Sequence, residues 1–258
     1  MATVTAPVAR PNEDRAFVVL AGVCAAIAFT GFAGTYWLQI AMGTFTGPPL
    51  MHLHGLLFSA WTLFFLWQSL LIANRRYVNH RAWGLGGIAL ASAMVFTGAA
   101  VAISGMQSRV AHGDGELGRA FGIVPLSAIL LFSIFVTAAM VNRRRADWHK
   151  RFMVVASAAL LNAAIARFFF LAATGGGGPG MRPGIGPVHG PETALVPGLL
   201  ASCVILLGMA FDWRARGRPH PAYLWGLGIT LIVQVLRGPI GYTQAWSSFA
   251  DFLTRFAG

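Results

Sequence analysis

The stretch from Asn74 to Trp83, Asn-Arg-Arg-Tyr-Val-Asn-His-Arg-Ala-Trp, returns in altered form twice more along the chain. The second version covers residues 142–151, and a looser third version covers residues 212–220. Each version is a short basic segment between apolar segments, and its histidine stands at position 80, 149 or 220. The pattern predicts one helical hairpin that is used three times.

The composition is that of an integral membrane protein. Of the 258 residues, 56% are hydrophobic and only 10% are charged, whereas soluble domains carry about 25% charged residues. The formal net charge of +11 would suggest nucleic-acid binding in a soluble protein. Here the basic residues lie between the apolar segments, where retention of positive charge inside the cell explains them. We therefore expect membrane lipids as partners and no nucleic acid.

Seven apolar segments are long enough to span a membrane, because about 20 helical residues cross the ~30 Å hydrocarbon layer. The predicted fold is all-α, a polytopic membrane helix bundle with one leading helix and three repeated hairpins. Residues 1–15 form an N-terminal tail, 16–243 the seven-helix domain and 244–258 an amphipathic interfacial segment. The predicted helices cover residues 16–40, 53–73, 84–105, 120–141, 152–173, 193–212 and 222–243.

The distribution of arginine and lysine predicts the orientation. The N-terminus and the three repeat turns carry 13 of the 19 basic residues, and the alternate loops with the C-terminus carry four. Cytoplasmic loops of membrane proteins are enriched in such residues. The N-terminus is therefore expected in the cytoplasm and the C-terminus outside.

Four histidines near the outer ends of the predicted helices form a candidate metal set. His52 and His54 open the second helix, and His112 and His189 lie in the other two outer loops. Imidazole is a ligand of zinc and of copper. The alternative is that these histidines are ordinary polar groups at helix ends.

Two arginines lie within apolar segments, and with His54 they form a candidate cofactor site. Arg167 and Arg237 stand 18 and 17 residues after His149 and His220, which places both in the outer third of the bilayer. Intramembrane charges indicate function by default. Such a pocket suits a haem with an axial histidine, or a quinone or an anionic lipid-like ligand. The alternative is that both arginines reach the outer headgroups.

The repeat histidines His80, His149 and His220 form a predicted ring at the cytoplasmic face. Three imidazoles there could hold a cofactor. The alternative, which we favour, is that their ring nitrogens bond backbone groups of a neighbouring turn while nearby arginines bind anionic lipid.

Three motifs and one arginine resemble a widespread family of bacterial multi-pass membrane proteins that has no known activity. Its members carry a glutamine before a basic turn, a His-Arg-x-x-Gly motif, a histidine followed by basic residues and a methionine, and an arginine late in the next helix. The corresponding residues are Leu66-Trp67-Gln68-Ser69-Leu70-Leu71, His80-Arg81-Ala82-Trp83-Gly84, His149-Lys150-Arg151-Phe152-Met153 and Arg167. The resemblance covers the second to fifth predicted helices and implies no activity.

Three functions follow as hypotheses for a protein of the bacterial inner membrane. The first is a redox or cofactor-handling protein whose outer pocket of His54, Arg167 and Arg237 takes haem, quinone or an anionic lipid-like ligand. The second is a non-enzymatic subunit or scaffold of a larger membrane complex. The third is a protein that binds or transports copper or zinc at its outer face.

Overall fold

The computed structural model describes residues 11–176, 178–180 and 189–255, and this part of the chain is helical without a strand. Seven helices are long and apolar enough to cross a membrane, which confirms the predicted bundle. The α-helices are α1 (Pro11–Phe32), α2 (Leu38–Ala41), α3 (Pro49–Ala73), α4 (Tyr77–Ala111), α5 (Gly115–Val141), α6 (Ala146–Ala173), α7 (Leu195–Arg216), α8 (Pro221–Gly241) and α9 (Gln244–Arg255). A π-helical turn (Ala33–Trp37) joins α1 to α2, and a 3-10 turn (Pro191–Ala194) precedes α7.

The spanning helices alternate in direction, so the bundle has two ends. The N-end holds the start of α1 and the turns at residues 74–76, 142–145 and 217–220, and the C-end holds the other connections and α9. The basic turns are shorter than predicted, because α4 and α6 begin at Tyr77 and Ala146 and not at 84 and 152. Lysine and arginine favour helices, so a basic segment does not mark a helix start. His80 and His149 therefore lie in first helical turns.

Helix α6 occupies the centre of the bundle. Around it the other spanning helices form a closed ring in the order α1, α3, α4, α5, α8, α7. Small buried residues such as Ala156, Ser157 and Ala158 line α6 and allow neighbours to pack closely. On α1, a Cβ at Gly31 would collide with the Ala164 carbonyl. The helices predicted as hairpins do pack as neighbours. Of these six helices only α6 is central, so the three hairpins do not occupy equivalent positions, and the repeat itself stays a prediction.

Helix α9 lies across α4 and α5 at the C-end of the bundle. Arg119 pairs with Asp251 at 2.6 Å, and Trp246 Nε1 donates to the Arg119 carbonyl at 2.7 Å. Phe249 and Phe252 are exposed on α9, so the helix is amphipathic. Its location in the membrane interface stays a prediction.

Candidate functional site

Arg167 is an intramembrane cation on the face of α6 that meets α1. Its Nε donates to Thr35 Oγ1 at 3.1 Å, and its Nη1 donates to the Ala163 carbonyl at 2.6 Å. The guanidinium carbon lies 3.8 Å from the centroid of the Phe32 ring, a cation–π distance. The π-helical turn of α1 carries Thr35, and such interruptions often occur at functional sites.

The charge of Arg167 has no carboxylate partner within the described residues. Its side chain is half-buried and receives only a hydroxyl, a carbonyl and an aromatic face. Neutral acceptors stabilise a buried cation less well than a carboxylate does. An anion or a ligand that accepts hydrogen bonds would stabilise the charge of Arg167 further.

His54 lies near Arg167, in the second turn of α3. The Arg167 charge acts on this imidazole electrostatically, and the His54 ring lies 4.0 Å from the Phe58 ring, centroid to centroid. His54 Nδ1 is buried and has no hydrogen-bond partner in the part of the chain that the structure describes. Since buried ring nitrogens are normally paired, a bound ligand would supply the missing partner.

Arg237, the third residue of the predicted pocket, lies elsewhere at the C-end. Its Nη2 donates to the Ala194 carbonyl at the start of α7, and its side chain is 4% exposed. Helix α8 packs against α5, α6 and α7, whereas the partners of α3 are α1 and α4. The structure thus places His54 within electrostatic range of Arg167 and leaves Arg237 in a separate contact.

The predicted metal ligands have other neighbours. The Tyr36 hydroxyl lies 3.3 Å from His52 Nδ1, His112 Nδ1 donates to the Ser108 carbonyl at 2.5 Å, and His189 is exposed. Among the described residues, no three His, Cys, Asp or Glu side chains are grouped to hold a metal ion. The four-histidine metal site stays a prediction that this geometry does not support.

The N-end contains a buried ionic cluster that the sequence reasoning missed. Arg151 of α6 is fully buried, with Asp212 of α7 3% exposed. Its Nε lies 2.8 Å from Asp212 Oδ2, and its Nη2 lies 2.5 Å from Asp212 Oδ1. Nη2 also donates to Glu13 Oε1 of α1 at 2.8 Å. The only sequence signal was the presence of two scarce acidic residues at the ends of apolar segments.

Further ion pairs extend this cluster. Lys150 lies 3.0 Å from Glu13, Arg216 lies 3.3 Å from Asp147, and the His220 backbone N–H donates to Asp212 at 3.0 Å. Four of the eight acidic residues of the chain, Glu13, Asp14, Asp147 and Asp212, pair here. The cluster ties α1, α6 and α7 and the start of α8 together.

A cavity of about 280 Å³ adjoins the cluster between α1 and α7. Glu13, Phe17, Asp212 and Tyr223 contribute to its walls. Tyr223 is fully buried, and its hydroxyl has no hydrogen-bond partner within the described residues.

Two of the three repeat histidines act as backbone caps, as the favoured interpretation predicted. His149 Nδ1 lies 2.9 Å from the Ala139 carbonyl, and His220 Nδ1 accepts from the Ala222 N–H at 3.1 Å, which caps α8. Burial and then the charges of Arg151 and Arg216 lower the pKa of His220 below its usual value. His80 differs, because its buried Nδ1 has no partner in the described structure.

Comparisons with protein-family models, curated proteins and solved structures found no match to this chain. Seven long apolar helices, six of them around a central one, identify it as an integral membrane protein.

Proposed function

We propose that the chain is a membrane protein of redox or cofactor-handling type that binds an amphipathic ligand at the C-end between α1, α3 and α6. The head of this ligand accepts hydrogen bonds and is a quinone ring or an anionic group. The observation that carries the proposal is Arg167, an intramembrane cation with no carboxylate partner among the described residues, within electrostatic range of His54, whose buried Nδ1 has no hydrogen-bond partner in the same part of the chain.

The free donors suit a head with one oxygen between them. Arg167 uses Nε and Nη1 within the bundle, which leaves Nη2 for a ligand. His54 Nδ1 supplies a second contact if it carries the ring proton. A quinone carbonyl or an oxygen of a carboxylate or phosphate accepts from both.

The surroundings suit an apolar tail. Phe168 and Phe169 follow Arg167 directly and are 43% and 48% exposed on the side of the bundle. In a membrane protein such exposed aromatic side chains face lipid. A ligand with an isoprenoid or acyl tail would enter from the bilayer and leave its tail against them.

Haem is a further ligand to test, because His54 could be an axial ligand and Arg167 could hold a propionate. Within the described residues only His54 offers an imidazole at this position. A quinone or an anionic lipid needs no second histidine, so this chemistry fits better.

The test begins with the detergent-purified full chain. We expect no haem Soret band, and we expect organic extraction with mass spectrometry to recover a quinone or an anionic lipid. Titration with a short-chain ubiquinone and, separately, with phosphatidylglycerol distinguishes the two sources by quenching of tryptophan fluorescence or by retention in native mass spectrometry. Arg167→Gln and His54→Ala should lose the retained ligand.

The matched control is Arg237→Gln, which removes the other intramembrane arginine. We expect this variant to retain the ligand. Loss of the ligand in Arg237→Gln as well as in Arg167→Gln and His54→Ala would contradict the two-residue site and favour the three-residue pocket expected from the sequence. Wild-type protein that retains neither ligand would refute the proposal.

A second candidate function, an accessory subunit of a membrane complex, has its own supporting observation. The acidic residues of the N-end pair within the buried cluster, while eight arginines of the neighbouring turns and helix ends are exposed. Such a surface favours anionic lipid or an acidic partner. The eight exposed arginines are Arg75, Arg76, Arg81, Arg143, Arg144, Arg145, Arg214 and Arg218. Cross-linking that finds only the free chain would refute a role as an accessory subunit.

The proposed location is the bacterial inner membrane, with the N-end in the cytoplasm. The arginine-rich turns of the N-end support this orientation. Single cysteines at Ser108 and Arg144, in a background without Cys24 and Cys203, would test it with an impermeant maleimide. We expect labelling at position 108 in spheroplasts and at position 144 only after lysis, and the reverse would overturn the orientation.

A further inference from the structure

Two histidines at the N-end take no part in the proposed function. His80 of α4 and His149 of α6 approach each other with ring centroids 6.2 Å apart. Both lie in the first turn of their helices, at the end of the bundle opposite to Arg167. Histidines from two helices that meet in this way are a common basis for a metal site.

The tautomer of His149 is fixed by its surroundings. Its Nδ1 lies 2.9 Å from the Ala139 carbonyl oxygen, and a carbonyl can only accept, so Nδ1 carries the proton. The lone pair of the neutral ring is then on Nε2. Metal-binding histidines are held in the same way, by donation from the other ring nitrogen.

His80 contributes a ring nitrogen that lacks a partner. Its Nδ1 is buried without a hydrogen bond to the described residues, although the side chain as a whole is half-buried. Buried polar atoms normally have a partner. A bound ion would supply one.

Met153 is the candidate for a third ligand, of a different type. It follows His149 by four residues on α6, so the two side chains share a helix face, and it is partly buried against the core. A thioether is a soft ligand that selects Cu(I), while imidazole also binds copper.

The charges nearby favour an ion with a single charge. Arg81 acts electrostatically on His80, and Lys150 directly follows His149. The acidic residues Glu13, Asp147 and Asp212 already pair with Arg151. Among the described residues of the N-end no unpaired carboxylate is left to neutralise it, so a divalent ion would be costlier than a monovalent one.

We propose that His80, His149 and Met153 form a binding site for Cu(I). With metal–nitrogen bonds of about 2.0 Å, two imidazoles on opposite sides of one ion have ring centroids about 6.3 Å apart, so the observed 6.2 Å fits a nearly linear pair of nitrogens with Met153 as the third ligand. The site lies at the N-end and is separate from the four-histidine set expected near the C-end.

The test is a Cu(I) titration of the purified full chain under anaerobic, reducing conditions, in competition with bicinchoninate. We expect one Cu(I) per chain. His80→Ala should weaken binding at least about 100-fold, because loss of a residue that only orients a ligand already costs about 10-fold to 100-fold. Met153→Leu should also weaken it and should remove the sulfur signal from the copper X-ray absorption spectrum.

These variants keep the experiment interpretable. His80 Nδ1 has no hydrogen bond to the described residues that a variant would lose, and leucine replaces methionine at similar volume, so both variants should fold. His112→Ala is the control and should bind Cu(I) like the wild type. Unchanged binding in His80→Ala and Met153→Leu would overturn the proposal, as would tighter binding of Zn(II) at the same residues.

Discussion

Helix α6 carries two arginines in opposite situations. Arg151 is fully buried and is held by Asp212 and Glu13. Arg167, about 24 Å further along the helix, has only neutral partners among the residues that the structure describes. An arginine whose hydrogen bonds and ion pairs are all made within the fold stabilises its partners and has few free donors for a ligand. The comparison shows that burial alone does not identify a functional arginine. Whether a carboxylate neutralises the guanidinium decides whether the residue is available to a ligand.

The largest expected effect comes from breaking the paired arginine. Arg151→Met leaves Asp212 buried without its counter-ion, which costs about 3–5 kcal/mol. A denaturant titration in detergent micelles measures the loss. The exposed Arg145→Gln, expected within about 0.5 kcal/mol of the wild type, is the control.

The double variant Arg151→Met with Asp212→Leu sharpens the same comparison. Replacing a buried ion pair by apolar residues of similar size is often neutral, so we expect the double variant to recover most of the lost stability. A loss equal to that of Arg151→Met alone would mean that the cluster does not act as a pair.

Removing the second carboxylate of the cluster should have a smaller effect. Glu13→Gln keeps the shape of the side chain but removes its charge opposite Arg151 and Lys150, and we expect a loss of about 1.5 kcal/mol. Asp14→Asn is the matched control, since Asp14 lies 3.7 Å from Lys150 and should lose at most about 0.5 kcal/mol. Equal losses in the two variants would contradict a special role of Glu13.

The histidine cap beside the cluster should contribute about 1 kcal/mol, because His220→Ala removes the acceptor that caps α8. The lowered pKa of His220 adds a pH dependence. As the pH falls below about 6.5, the unfolded chain takes up the proton first, so this stability is present above that pH and lost on acidification.

Melting temperatures measured between pH 7.5 and pH 5 check this prediction. His220→Asn keeps a capping acceptor that does not titrate, so its melting temperature should fall less on acidification than that of the wild type. Parallel curves for the two proteins would contradict the role of His220.

The unpaired arginine should matter least for stability. Arg167→Gln loses two hydrogen bonds and a cation–π contact but also removes an unneutralised charge, so we expect a change within about 1 kcal/mol. The same variant is expected to lose its ligand. A loss of stability as large as that of Arg151→Met, without an effect on the ligand, would make Arg167 a structural residue.

The sequence predicted the seven spans, because length and hydropathy decide them. It predicted the pairing of successive helices as well, because the short basic turns make the helices that they join antiparallel neighbours. It also predicted an intramembrane arginine at Arg167. It could not predict that Arg237 faces α7 and not His54, since spacing gives depth along a helix but not the neighbour it meets. The Arg151 cluster was missed because its partner Glu13 lies 138 residues away in the chain.

The central position of α6 also bears on how the protein is made. It is the fifth spanning helix of the chain, and its ring of neighbours closes only when α7 and α8 are in place. Until then the neighbouring helices do not fully cover Arg151 and the buried Asn162, and polar groups in contact with lipid are costly. A nascent chain that stops after α6 should therefore be a substrate for membrane quality-control proteases, and synthesis of the last hairpin should release it.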